Sequence, residues 1–156
     1  MATPDYTTFT LARAAIGALC ALTVAHVGVK LLTLMTRDPF EGYAERIHSN
    51  MPHAYYVSGR KPVNRPRWSE EVIERRRIFA ANDIAGITEV FPDHELIRLR
   101  GCESVINVYG EVVGMVNCLQ GAGFYTLGKV AAAEASKLPA AVCFLLHERS
   151  MKKESL

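Results

Sequence analysis

Residues 14–35, AAIGALCALTVAHVGVKLLTLM, are apolar for almost their whole length and decide the interpretation of this 156-residue chain. As a helix, about 22 residues rising about 1.5 Å each would extend roughly 33 Å, enough to cross a hydrocarbon core of ~30 Å. Arg13 precedes the run, Arg37 follows it, and only His26 and Lys30 interrupt it. Because Lys30 lies near one end, its amine can reach the lipid head groups. The stretch therefore predicts a single membrane-spanning helix, in preference to a cleaved signal peptide or a buried core helix.

Small residues recur at three- and four-residue steps along this predicted helix. They are Ala14, Ala18, Ala21, Ala25 and Gly28. In lipid, such a stripe lets a second helix approach closely, and close packing then drives association. We therefore expect a helix-packing face and a chain that is not an isolated monomer.

His26 is the residue of this helix with the most varied chemistry, because a histidine in a membrane can be a haem ligand, a quinone contact or a proton relay. The remaining histidines lie outside the helix: His48, His53, His94 and His147. A bis-histidine haem site therefore has no second ligand in this helix. We expect a structural or interfacial role for His26 and no cofactor belonging to the chain.

The composition fits an anchored chain with one further domain. The net charge is only +2, so no strongly acidic partner and no nucleic acid is indicated. The mean hydropathy of +0.08 is raised by the apolar stretch. The cysteines form no C-x-x-C pair, so neither a zinc site nor a disulfide framework is predicted.

Residues 36–68 form the next predicted segment, an extended basic connector that contains Pro52, Pro62 and Pro66. Five Lys or Arg and no acid lie between Arg46 and Arg67, which by the positive-inside rule puts the C-terminal part on the matrix side. Basic and aromatic side chains here are predicted to contact a partner protein or lipid such as cardiolipin. The candidate contacts are Lys30, Arg37, Arg46, Tyr55, Tyr56, Arg60, Lys61, Arg65, Arg67 and Trp68.

Residues 69–156 are predicted to form a small helical body. Ser69 can cap a helix over SEEVIERRRIFAAN, and DHELIRLR forms a short helix that Gly101 stops. The apolar spacing over 105–119 favours a helix, with a strand as the alternative because of its β-branched content. Whether 112–133 is a second membrane or buried helix stays open. The fold class is thus mostly α: an N-terminal lead (1–13), one transmembrane helix, the connector and this body.

No catalytic constellation emerges from the sequence. Asp93, His94 and Glu95 are adjacent, but neighbours on a helix point in different directions, so they do not form a triad. The Gly-x-Gly at Gly121 and Gly123 lacks the other elements of a nucleotide-binding fingerprint. The chain is therefore not predicted to be an enzyme.

The layout resembles the single-pass accessory subunits of mitochondrial respiratory complexes and ATP synthase. An uncleaved lead, one membrane helix, a basic proline-containing extension and a small helical body carry the resemblance. It implies a non-catalytic subunit of the mitochondrial inner membrane that packs against other membrane subunits and lipid and supports oxidative phosphorylation. The alternatives are a membrane-anchored adaptor or import component, and a redox protein that uses His26.

Overall fold

A six-stranded antiparallel sheet forms the centre of the computed structural model, which describes residues 6–37, 42–62, 66–110 and 114–152. The strand order across the sheet is β3-β2-β1-β6-β5-β4. The strands are β1 (Leu31–Arg37), β2 (Tyr43–Ser49), β3 (Arg60–Pro62), β4 (Phe79–Ala81), β5 (Ser104–Gly110) and β6 (Gly114–Gln120). The mostly-α prediction is therefore wrong, because it assigned no strand to the chain.

Helices cover both faces of this sheet. The first face, called the long-helix face here, packs against α1 (Tyr6–Val27), α5 (Leu127–Glu134) and α6 (Lys137–Lys152). The opposite face, called the short-helix face, is covered by α2 (Pro66–Trp68), a π-helical segment (Ser69–Glu74), α3 (Ile84–Thr88) and α4 (His94–Leu99). Each face has its own cluster of buried apolar side chains, so the sheet separates two cores.

The last third of the long apolar stretch forms β1, in the middle of the sheet. Leu32 and Leu34 pack with the long helices, whereas Leu31 packs with the short ones, and all three are fully buried. A strand that is covered by helices on both sides has a continuous run of apolar residues in its sequence, and a membrane helix has the same pattern. The prediction of one spanning helix over 14–35 is wrong for this reason.

Gly28 is the residue that separates helix from strand. Its φ of 84° lies in the left-handed region, and its N–H donates to Val24 O at 2.9 Å. Lys129 Nζ donates to Val27 O and Gln120 Nε2 donates to Gly28 O, both at 2.8 Å. Side chains from β6 and α5 thus satisfy the carbonyls at the end of α1, which a helix continuing to residue 35 would have bonded internally.

Gly28→Ala is expected to lower the free energy of unfolding by about 1–2 kcal/mol, because an L-residue is strained at positive φ. An added Cβ would meet Phe124 and Lys129 only at ordinary contact distances, so strain and not space sets the cost. Gly17→Ala is the matched control, and there alanine should stabilise the exposed mid-helix position by about 0.5–1 kcal/mol. Urea unfolding followed by circular dichroism measures both. Equal effects at the two positions would contradict the helix end at Val27.

The buried stripe of α1 differs from the predicted packing face. Ile16, Leu19 and Cys20 belong to the core of the long-helix face, whereas the predicted alanines are exposed and Gly28 is half-buried at the helix end. Those exposed residues are Ala14, Ala18, Ala21 and Ala25. Two stretches, Thr10–Val27 and Leu127–Met151, are long and apolar enough to cross a membrane by length and composition. About 33% of each stretch is buried against the rest of the structure, and length and composition alone are weak evidence for a span.

The second apolar region forms a hairpin. The helix predicted over 105–119 is wrong, and the strand alternative is confirmed by β5 and β6. Residues 112–133, considered as a second span, contain β6, a turn and most of α5. Of the helix predicted from Ser69, only the π-helical segment is helical, and β4 follows it. The short helix before Gly101 is confirmed as α4.

Part of the predicted connector over 36–68 belongs to the sheet. It supplies β2 and β3, which extend the sheet beyond β1. Tyr55, from the loop between these two strands, is 5% exposed and belongs to the core of the short-helix face. Backbone hydrogen bonds and this buried ring therefore hold the described part of the segment against the rest of the fold.

Candidate functional site

A cavity lies between the short-helix face of the sheet and the short helices. It has an inner chamber of about 40 Å³ and a more open outer chamber of about 290 Å³. Arg46, Tyr55, Lys61 and Pro62 line both chambers, so they mark the boundary between them. Other side chains of the inner chamber include Leu31, Thr33, Met35, Ala44, Trp68, Phe91, Ile97, Val105, Asn107, Asn117 and Leu119.

The floor of the inner chamber carries a ladder of polar side chains across three strands. Trp68 Nε1 donates to Asn107 Oδ1 at 3.0 Å, and Asn107 Nδ2 donates to Asn117 Oδ1 at 2.6 Å. Asn117 Nδ2 in turn donates to Thr33 Oγ1 at 3.1 Å. Thr33, Asn117 and Asn107 are direct cross-strand neighbours, so the sheet register builds this ladder.

Arg46 reaches the chamber boundary because of a β-bulge in β2. The register between β1 and β2 shifts so that Met35 pairs with Arg46 while Leu34 pairs with His48, which leaves Ile47 as the extra residue. Ile47 packs on the long-helix face, and Arg46 faces the cavity. Bulges of this kind redirect a side chain at a sheet edge. The arginine is 5% exposed, which is unusual for a residue that always carries charge.

The guanidinium of Arg46 is only partly satisfied. Its Nη1 donates to Tyr56 O at 3.1 Å, and its Cζ lies 5.2 Å from the centroid of the Tyr55 ring. Its Nε is buried and has no hydrogen-bond partner. Burial lowers the pKa of Arg46, and the nearby Asp93 carboxylate opposes that change. No salt bridge to Arg46 occurs among the residues that the structure describes.

Two further polar atoms near Arg46 are buried without a partner. The Tyr55 hydroxyl has none, and burial raises the pKa of that phenol. Asp93 Oδ2 accepts from Lys61 Nζ at 2.9 Å, but its second oxygen, Oδ1, has no partner. The site therefore holds two unused donors and one unused acceptor around one buried cation. Such atoms are costly to bury and mark a place for a ligand or water.

Six of the ten predicted partner or lipid contacts gather at this cavity. They are Arg46, Tyr55, Tyr56, Arg60, Lys61 and Trp68. The structure does not bring the others there. Lys30 lies beside Gly101, Arg37 ends β1, and Arg67 pairs with Glu89 at 2.7 Å. Arg65 lies outside the described residues.

Sequence reasoning missed the asparagines of the ladder and Asp93. In the sequence, Asn117 is a polar residue inside an otherwise apolar run. Side chains two residues apart on a strand lie on the same face of the sheet. Leu119 pairs with Leu31, and Asn117 pairs with Asn107, so both asparagines lie on the same face as Leu31. That alternation was the available signal. The pairing with Thr33 joins residues far apart in the chain, which no local pattern reveals.

Neither a metal site nor a reactive thiol is found in the described part of the chain. The described residues contain no group of three or more His, Cys, Asp or Glu side chains that could hold a metal ion. All four cysteines are buried and free. Burial raises the pKa of Cys20 to about 12, which keeps this thiol protonated. His26 is exposed on α1, away from the cavity.

The comparisons with known proteins give similarity in structure without similarity in sequence. No family model matches the chain, and no curated protein matches it. A solved structure that it resembles is the GAF domain of a two-component sensor histidine kinase from Bacillus halodurans. Its TM-score is 0.69 at 12% identity, covering 87% of this chain and 95% of that one. A second similar structure is the blue-light absorbing form of the PixJ GAF domain from Thermosynechococcus elongatus, with a TM-score of 0.65 at 13% identity. The match covers 99% of this chain and 97% of that one.

A third neighbour is the GAF domain region of a putative membrane protein from Geobacter sulfurreducens, with a TM-score of 0.69 at 12% identity. The match covers 94% of this chain and 99% of that one. The chain thus has the fold of a GAF domain. This finding corrects the resemblance drawn from the layout. The predictions of a mitochondrial accessory subunit, a role in oxidative phosphorylation and an inner-membrane location are wrong, because they depended on a single spanning helix beside a helical body.

Proposed function

We propose that this chain is a sensory domain that binds a small molecule in the cavity on the short-helix face and passes that binding on as a change in conformation. The observation that carries the proposal is the buried guanidinium of Arg46, whose Nε faces no partner at the boundary of the two chambers. A ligand that pairs with this group would recover the free energy that its burial costs.

The GAF fold supports the same proposal by analogy. Neighbours of this fold include the domain of a sensor histidine kinase and the chromophore-binding domain of a bacteriophytochrome from R. palustris. A fold alone does not assign a ligand, so the cavity and its unpaired polar atoms carry the argument. The proposed role is one of binding, without catalysis by this chain.

The strands offer a direct route from the cavity to the long helices. Thr33 and Asn117 face the cavity, while the next residues, Leu34 and Val116, pack on the long-helix face. A ligand that moves the central strands would therefore shift the packing of α1 and α6. These helices expose apolar side chains such as Leu22 and Leu138, to which a downstream partner could respond. That the chain is not an isolated monomer and that it contacts cardiolipin both stay predictions.

Binding can be measured through Trp68, the only tryptophan of the chain, which lines the inner chamber. We expect one member of a panel of nucleotides, amino acids and carboxylates to change its emission. At about 100 times its Kd, that molecule should add about 2.7 kcal/mol to the free energy of unfolding. The panel is tested on the full chain by fluorescence titration and thermal unfolding.

A variant that fills the inner chamber provides the control. Ala44 is 1% exposed and lines that chamber, so Ala44→Ile should abolish the response. The same substitution at Ala80, an exposed position on β4, should leave it intact. If no panel member changes Trp68 emission, or if Ala44→Ile binds as well as the native chain, the proposed function is wrong.

A further inference from the structure

We propose that the ligand is a short-chain monocarboxylate with a hydrogen-bond donor on the carbon next to the carboxylate, as in a 2-hydroxy acid. This inference depends on the proposed function and names the chemical class that the cavity would take. The carboxylate accepts from Arg46 Nε and the Tyr55 hydroxyl, the 2-hydroxyl donates to Asp93 Oδ1, and the hydrocarbon tail occupies the inner chamber.

The net charge at the chamber boundary selects a monoanion. Lys61 and Asp93 form an ion pair at 2.9 Å, and Arg60 is paired with Glu45 at 3.1 Å. Arg46 is then the one unbalanced charge among the described side chains that line the boundary. A single carboxylate neutralises it, whereas a phosphate dianion would leave an extra negative charge beside the Asp93 carboxylate.

The unpartnered atoms determine which groups the ligand carries near its charge. Arg46 Nε and the Tyr55 hydroxyl are donors, so they require an acceptor with two oxygens or lone pairs. Asp93 Oδ1 is an acceptor and requires a donor. A plain carboxylate satisfies the first two atoms, and a 2-hydroxyl supplies the third. Because Asp93 and Arg46 face the same ligand, the polar end of that ligand carries both a hydrogen-bond donor and a hydrogen-bond acceptor.

The size of the inner chamber limits the tail. Since one water-sized site needs about 10–15 Å³, the chamber of about 40 Å³ holds roughly three such sites. Its apolar walls, which include Leu31, Phe91 and Leu119, favour carbon over polar atoms there. A tail of about two to four carbons fits this space. The outer chamber, at about 290 Å³, is the larger of the two.

The test titrates the full chain with three matched probes: 2-hydroxybutyrate, butyrate and 2-hydroxybutyramide. Calorimetry and Trp68 fluorescence report binding. The hydroxy acid should bind most tightly, butyrate roughly 10-fold more weakly because it lacks the donor, and the neutral amide roughly 100-fold more weakly because it lacks the charge. Equal binding of the amide and the acid would overturn the assignment.

Variants separate the buried arginine from general positive charge. Arg46→Met should weaken binding of 2-hydroxybutyrate roughly 100-fold. Arg67→Met, at an exposed arginine that pairs with Glu89 away from the cavity, should change it less than about 3-fold. Tyr55→Phe removes only the hydroxyl, so it keeps the ring packed and should cost roughly 10-fold. Binding that is unchanged in both Arg46→Met and Tyr55→Phe would refute the proposed recognition.

The failure of this inference differs from failure of the proposed function. If a neutral or larger molecule changes Trp68 emission and Ala44→Ile abolishes that change, the cavity binds a small molecule but the carboxylate class is wrong. If neither the three probes nor the panel change the emission, both are wrong.

Discussion

Phe144→Ala is expected to lower the free energy of unfolding by about 3–5 kcal/mol, the largest effect of any single truncation considered for this chain. Phe144 lies on α6, is 0% exposed and belongs to the core of the long-helix face. Removal of the ring leaves a cavity between α6 and the sheet that neighbouring side chains fill only in part. Urea unfolding followed by circular dichroism gives the change directly.

The neighbouring residue supplies the control. Leu145 is 49% exposed, so Leu145→Ala should cost less than about 1 kcal/mol. The comparison tests the packing of α6, because Phe144 is buried in the core of the long-helix face and Leu145 is about half exposed. Similar losses at 144 and 145 would mean that α6 does not pack on the sheet.

The error in the fold prediction has one physical origin. Residues 14–35 contain most of α1 and the buried part of β1, and both are rich in apolar residues. Only one stripe of the helix is buried, whereas the strand is buried from Leu31 to Met35. Hydropathy shows neither where a helix ends nor whether lipid or protein surrounds an apolar residue. Gly28 was the local signal for a break, since glycine commonly ends helices, yet it was assigned to a packing stripe.

The role of the predicted contact residues toward a partner or lipid stays a prediction, but the structure shows where they lie. The basic and aromatic residues from Arg46 to Trp68 were singled out as a binding segment, and most of them line the cavity. What the sequence could not reveal is that Arg46, Tyr55 and Trp68 are buried around an internal chamber, whereas Tyr56 and Arg60 stay exposed. That arrangement depends on the bulge that turns Arg46 inward and on the register that brings Asn107 and Asn117 beneath it. Both are properties of strand pairing between distant segments.

Asn107→Leu is expected to lower the free energy of unfolding by about 2–5 kcal/mol, because it leaves two buried polar atoms without partners at once. Those atoms are Trp68 Nε1, which loses its acceptor, and Asn117 Oδ1, which loses its donor. Thr33→Val is the matched control at the other end of the ladder. It removes only the acceptor of Asn117 Nδ2 and should cost about 1–3 kcal/mol.

The ladder also predicts a non-additive result. In the triple variant Thr33→Val, Asn117→Leu, Asn107→Leu, the ladder is replaced by apolar side chains and only Trp68 Nε1 remains unsatisfied. Its loss of stability should therefore be smaller than that of Asn107→Leu alone, since removing both partners of a buried hydrogen bond costs less than removing one. Urea unfolding monitored by Trp68 emission measures the triple variant and the three single variants, Thr33→Val, Asn117→Leu and Asn107→Leu, on one scale. A triple variant whose loss equals or exceeds the sum of the single losses would show that the three side chains act independently, and the cavity floor would then not be the coupled unit through which a ligand could move β1, β6 and β5 together.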